Sequence, residues 1–344
     1  MTADPVHPSP SGHAVTKPQP SPQPSSIGAR ILARALHATV RPILDHGPVT
    51  PAVLRAAWLS DYAGLLLPAP RGTRRQHVPF PGFDGELVMG PGVHGRNTGG
   101  RMVLYFHGGA FISCGLRTHC RLVARISTAA QAPVLHIAYR QLPDATLVQT
   151  VEDCLAAYRH LLDRGIPADR IVIAGDSAGG HLAFATALAA TLHALPAPAG
   201  IAALSPWLDL ECAHNIHHPN APTDPYLPIH QLARIATMLT PDGTPPPSVL
   251  DADLTALPPV LIHVGSIEAL RSDAELMTDR LHHSGIRTDL HIWPGQIHVF
   301  QAFADLTPEG HQAITEIGTF IRTMTATPDH RKTTATHPPQ PGND

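Results

Sequence analysis

Two rhythms of apolar and polar residues alternate along the middle of the chain. Short, nearly unbroken apolar runs occupy 101–107 (RMVLYFH), 134–138, 171–174, 201–204, 260–264 and 288–293. Runs of this length predict strands buried on both faces. Between them, 118–130, 148–162, 178–193 and about 271–284 and 309–323 carry apolar residues at helical spacing. Strands separated by helices predict an α/β fold: a mostly parallel central sheet with helices on both faces. The interval 207–257 breaks the alternation. It is rich in Pro and His, with one predicted helix at 228–239. Together with helical spacing at 27–66, it is expected to form a helical lid over the sheet. No internal repeat is visible.

Composition sharpens the domain limits. Of 344 residues, 37 are Pro and 24 are His, while only 15% are charged and 5% aromatic. Seven Pro fall within residues 1–26 among Ser, Gln, Thr and His, with no apolar run. Such a segment cannot bury enough surface to offset its ordering entropy, and 326–344 repeats the composition. Both ends therefore read as disordered tails around one domain at 27–325. No basic start followed by an apolar stretch marks a signal peptide. The most membrane-like window, 182–204, is interrupted by Thr186, Thr191, His193, Pro196 and Pro198. A formal net charge of −3 gives no footprint for nucleic acid or anionic membrane. Cys114, Cys120, Cys154 and Cys212 form no CxxC pair and are too few for a disulfide scaffold. A soluble, cytoplasmic protein is expected, as a monomer or a homodimer, with no nucleic-acid or membrane partner.

The strongest chemical signal lies where a strand meets a helix. Gly175-Asp-Ser-Ala-Gly-Gly180 follows the 171–174 strand directly and opens the 178–193 helix. The G-x-S-x-G pattern permits a sharp strand-to-helix turn that lifts Ser177 above the sheet. A serine hydroxyl needs a base, a group to orient that base, and donors for an oxyanion. His107-Gly-Gly-Ala110 follows the 101–107 strand, and its Gly pair can turn free amides toward a substrate carbonyl. Gly108 and Gly109, with the amide of Ala178, are the expected oxyanion hole. His298, after the last strand and a Pro-Gly turn, is the expected base. Glu268, in the loop after the 260–264 strand, is the expected acid, with Asp273 one turn later as the alternative. The histidine groups 214/217/218 and 282/283 lack carboxylate or Cys companions at ligand spacing, so no metal is expected there.

With these residues quoted, the chain resembles the hormone-sensitive-lipase-type branch of the α/β-hydrolases, and within it bacterial esterases and lactone hydrolases. The carrying motifs are HGGAF (107–111), GDSAGG (175–180), SPWLDL (205–210), the 257–274 stretch and WPGQIHVF (293–300). The resemblance implies an α/β-hydrolase fold and the chain order Ser177, Glu268, His298. In this branch the acid is often Asp in a D-P-L segment. Glu268-Ala-Leu270 takes that place here, which supports Glu268 and keeps Asp273 as an alternative. A second departure is Tyr139-Arg-Gln-Leu-Pro-Asp144, where relatives usually read Y-R-L-A-P-E. The implied reaction cleaves a carboxylic ester or lactone through an acyl-enzyme, with no cofactor. A lid with few aromatics suggests a small to medium apolar substrate, and no exposed amphipathic helix for lipid binding is read. An N-acetyl amide hydrolase acting on a secondary metabolite is the nearest variant. A non-catalytic small-molecule-binding relative is the alternative from another class.

Overall fold

A computed structural model describes residues 24–326, apart from 67, 96–97 and 242–247. The Pro-rich tails read at 1–26 and 326–344 thus lie outside the described residues save at 24–26 and 326. Ser26 accepts the Ala29 amide through its hydroxyl and so caps the first helix; its own amide and hydroxyl both donate to Glu309.

The strands are β1 (Arg74–Phe80), β2 (Phe83–Met89), β3 (Met102–Phe106), β4 (Val134–Ala138), β5 (Ile171–Asp176), β6 (Gly200–Leu204), β7 (Val260–Gly265) and β8 (Thr288–Trp293). They form one eight-stranded sheet in the order β1-β2-β4-β3-β5-β6-β7-β8. Every pairing from β4 to β8 is parallel, whereas β1–β2 and β2–β4 are antiparallel. The apolar pattern predicts no β1–β2 hairpin. Its strands are half-exposed at the sheet edge and carry Arg74, Arg75, Gln76 and Glu86, so no unbroken apolar run marks them.

The helices are α1 (Ile27–His46), α2 (Pro51–Ala57), α3 (Cys120–Ala130), α4 (Leu147–Asp163), α5 (Ala178–Leu192), α6 (Ile229–Ala236), α7 (Arg271–His283) and α8 (Pro308–Met324). Alternate side chains of the central strands point to opposite faces, as the strand period of two requires. Leu104, Ile173, Ile201 and Ile262 pack with Tyr158 of α4, Phe184 of α5 and Met277 of α7. Val103, Val172, Ala202 and Leu261 pack on the other face with Ile126 of α3 and Ile317 of α8. The mostly parallel sheet covered on both faces agrees with the expected fold.

The two segments outside the alternation join each other. Arg41 of α1 donates to the carbonyls of Asp224 and Leu227 at 2.6 and 2.9 Å. Gln231 of α6 returns a bond to the Asp45 carbonyl at 2.7 Å. Ile27, Ile31, Ile43 and Leu44 of α1, with Trp58, Leu59, Leu65 and Leu66 of the 3₁₀ turn that follows α2, are exposed apolar side chains. No helix among the described residues is long and apolar enough to cross a membrane.

Candidate active site

Ser177 stands between β5 and α5 with φ 53° and ψ −119°, a conformation few non-glycine residues adopt. Close backbone packing holds the turn. A Cβ on Gly179 would lie 2.0 Å from the Phe106 carbonyl oxygen, so α5 can start against β3 only without a side chain there. The Ser177 amide donates to Leu204 O at 2.9 Å, and its carbonyl accepts the Trp207 amide at 3.1 Å. The α5 axis points its N-terminal amides toward this corner, a favourable place for developing negative charge.

His298 follows β8, and the next residue turns the chain through a left-handed conformation (Val299, φ 49°). Its Nδ1 lies 2.7 Å from Glu268 Oε2, and both side chains are buried. The other carboxylate oxygen accepts the Ser205 hydroxyl at 2.7 Å and the Gly265 amide at 2.5 Å. The 207–257 segment braces this acid loop. Asn220 Nδ2 donates to the carbonyls of Ser266 and Glu268, and Asp224 accepts the Ala269 amide at 2.7 Å.

Asp273, the alternative acid, faces elsewhere. Its Oδ2 accepts the amides of Leu208 and Asp209 at 2.6 and 2.9 Å. Burial pushes its pKa up to about 7, while those amides pull the other way. It binds the SPWLDL segment, not His298.

The loop after β3 lies against the nucleophile turn. A Cβ on Gly108 would meet Asp176 Oδ2 at 2.3 Å and Ser177 Cβ at 3.1 Å, so glycine is required for this approach. Two side chains distant in sequence hold Asp176. Tyr105 donates to Oδ1 at 2.7 Å, and His119 Nε2 lies 3.2 Å from Oδ2. Burial alone would raise the Asp176 pKa, but the charge and hydrogen bond of His119 outweigh it and hold the carboxyl below its ordinary value. The same pairing lifts His119 above an ordinary imidazole against its own burial. His107, stacked on Tyr139 at 4.4 Å, is pushed down to about 4 by burial and by the nearby His119. Neither Asp176's partners nor Ser205's could be read from spacing, because they lie 57 to 94 residues away.

Ser177, His298, Gly109 and Asp176 line one cavity of about 410 Å³. Its walls are apolar: Ile43 and Leu44 of α1, Val53, Leu54 and Ala57 of α2, and Leu232 and Ile235 of α6. Of the expected site residues, Ser177, His298 and Gly109 share this cavity directly, and Glu268 joins through His298. Gly108 and Ala178 are buried beside Ser177.

With this geometry in view, comparison with known proteins places the chain. A family model described as the alpha/beta hydrolase fold matches residues 103–302. The carboxylesterase/phospholipase LipF of Mycobacterium tuberculosis is 37% identical over 320 residues, covering 89% of this chain and 85% of that protein. An acetyl-hydrolase of Streptomyces hygroscopicus is 38% identical over 230 residues, covering 66% of this chain and 77% of that protein. The crystal structure of an esterase from the bacterial hormone-sensitive lipase family superposes with a TM-score of 0.79 at 32% identity, covering 88% of this chain and 100% of that one. The chain is an α/β-hydrolase. It belongs to the hormone-sensitive-lipase-type branch of that superfamily.

Proposed function

We propose that Ser177 is the nucleophile, His298 the general base and Glu268 the orienting acid of this carboxylic ester hydrolase. The observation that carries the assignment is one cavity onto which a strained serine turn and a carboxylate-paired histidine both open. In this scheme Ser177 Oγ attacks the ester carbonyl and His298 takes its proton. Glu268 holds the Nδ1–H tautomer and stabilises the imidazolium. The amides of Gly108, Gly109 and Ala178 receive the oxyanion, a contribution of roughly 3 kcal/mol per donor in other hydrolases. His298 then protonates the leaving alcohol, and water, deprotonated by the same histidine, releases the acyl group.

The apolar walls and volume of the cavity favour an ester or lactone of small to medium size, with the acyl chain lying against α2 and α6. The similar protein named an acetyl-hydrolase is compatible with an N-acetyl amide as the second substrate class. A purely binding role is disfavoured, because a binder has no use for the buried Glu268–His298 pair. The four free thiols suit the reducing cytoplasm, which we propose as its location. The test is a panel of p-nitrophenyl acetate, butyrate, octanoate and palmitate, an aliphatic lactone and an N-acetyl amide, run with wild type and Ser177→Ala. Turnover of the short and medium esters, abolished in the variant, is expected. Turnover retained by Ser177→Ala would overturn the assignment.

A further inference from the structure

Away from the catalytic cavity, three metal-ligating side chains converge where the last two strands meet α8. His263 on β7 and His291 on β8 are direct register partners, their rings stacked at 5.1 Å and 15°. Glu316 of α8 brings Oε2 to 2.7 Å from His291 Nδ1 and 3.6 Å from His263 Nε2. All three donor atoms lie within 4.8 Å of one another. His263 is fully buried, yet neither of its ring nitrogens has a hydrogen-bond partner. Native proteins seldom leave both nitrogens of a buried imidazole idle; His136 on β4 does so as well, and what sets His263 apart is that a second imidazole and a carboxylate converge on it.

We propose that His263, His291 and Glu316 bind one divalent transition-metal ion of the zinc type. Two imidazoles and a carboxylate are a zinc donor set, while magnesium and calcium prefer oxygen ligands throughout. A tetrahedral ion with bonds of about 2.0–2.1 Å holds its ligand atoms about 3.4 Å apart. The 3.6 Å separation already suits that geometry. The closer His291–Glu316 pair opens slightly when the ion replaces the proton between them, and that proton leaves to solvent. Gln312 donates to Glu316 Oε1 at 3.1 Å, fixing the carboxylate with Oε2 toward the histidines. A cavity of about 280 Å³ reaches His291 and Glu316 from the surface, with Arg287, Asp289, Thr315 and Thr319 along its walls, so an ion would approach from the side of these two ligands.

The site is structural. β7 runs into the loop of Glu268 and β8 into the loop of His298, so the ion pins both strands to α8 behind the acid–base pair. Sequence spacing conceals it, because the ligands stand 28 and 25 positions apart. The test titrates chelator-treated full-length protein with Zn²⁺ against a chromogenic chelator, and follows thermal unfolding with and without the ion. The wild type should bind one ion per chain and gain melting temperature. His291→Ala and Glu316→Gln should each weaken binding at least about tenfold and abolish the thermal gain, with His214→Ala behaving as wild type. No tight ion in the wild type, or an ion that either ligand variant binds as tightly, would overturn the proposal.

Discussion

Ser205 Oγ donates to Glu268 Oε1 at 2.7 Å and accepts the Val299 amide at 3.1 Å, so one hydroxyl ties the acid to the backbone beside the base. The SPWLDL segment therefore does more than follow β6. Its backbone supports the Ser177 turn by donating the Trp207 amide to the Ser177 carbonyl, and its first side chain fixes the carboxylate that orients His298. Ser205→Ala removes a hydrogen bond to a buried charged group, worth about 1.5–3 kcal/mol. The expected outcome is a fall in kcat of about ten- to a hundredfold with KM little changed, measured with p-nitrophenyl butyrate.

The choice between the two acids is open to a direct comparison. Glu268→Gln leaves the shape but presents the wrong hydrogen-bond pattern to Nδ1, and kcat should fall by about 10³–10⁴. Asp273→Asn keeps an acceptor for the amides of Leu208 and Asp209 and should stay within about tenfold of wild type. The reverse ranking would transfer the orienting role to Asp273.

Gly108 has no room for a side chain. The Asp176 carboxylate that a Cβ would strike is pinned between Tyr105 and His119 and cannot step aside. Gly108→Ala should therefore displace the donor loop and lower kcat by about 10²–10³, the loss typical of one oxyanion donor. Circular dichroism should show the fold retained; unaltered kcat would contradict the placement of this loop.

Buried histidines make the fold sensitive to acid. Burial pushes His107 and His181 down to about 4 and holds His136 well below its ordinary value. An unfolded imidazole takes up a proton near pH 6.5, so below that pH the unfolded state binds protons the native state refuses. Stability is therefore lost as pH falls from 6.5 toward 4. Asp273, raised to about 7 by burial, acts oppositely: its contribution is present at low pH and fades as pH rises through 7. With His263, pushed down to about 3 by burial, four such histidines outweigh one carboxyl, and urea unfolding of the metal-free protein should lose several kcal/mol between pH 6.5 and 5. His181→Asn should flatten that slope by about 1.4 kcal/mol per pH unit.

The pattern of apolar runs conveyed the central sheet well, because strands β3 to β7 are buried on both faces and carry almost no polar residues. It missed β1 and β2, where an edge hairpin needs only partial burial; the Pro81-Gly82 turn between Phe80 and Phe83 was the available signal. Ser177 and His298 were legible through local turn chemistry after a strand. Glu268 was separable from Asp273 only by orientation, since α7 begins at Arg271 and turns Asp273 toward the 208–209 amides. The partners of Asp176 and Glu268 were not legible, because strand order alone brings Tyr105, His119 and Ser205 beside them. The same holds for His263 and His291, which meet only through the β7–β8 register.

The central claim is that Ser177 carries the acyl group, and intact-protein mass spectrometry after treatment with a fluorophosphonate ester tests it most directly. One adduct per chain is expected, mapped to the peptide containing Ser177, with turnover lost in step with labelling and no adduct on Ser177→Ala. Labelling at another residue, or full turnover by the labelled protein, would contradict it.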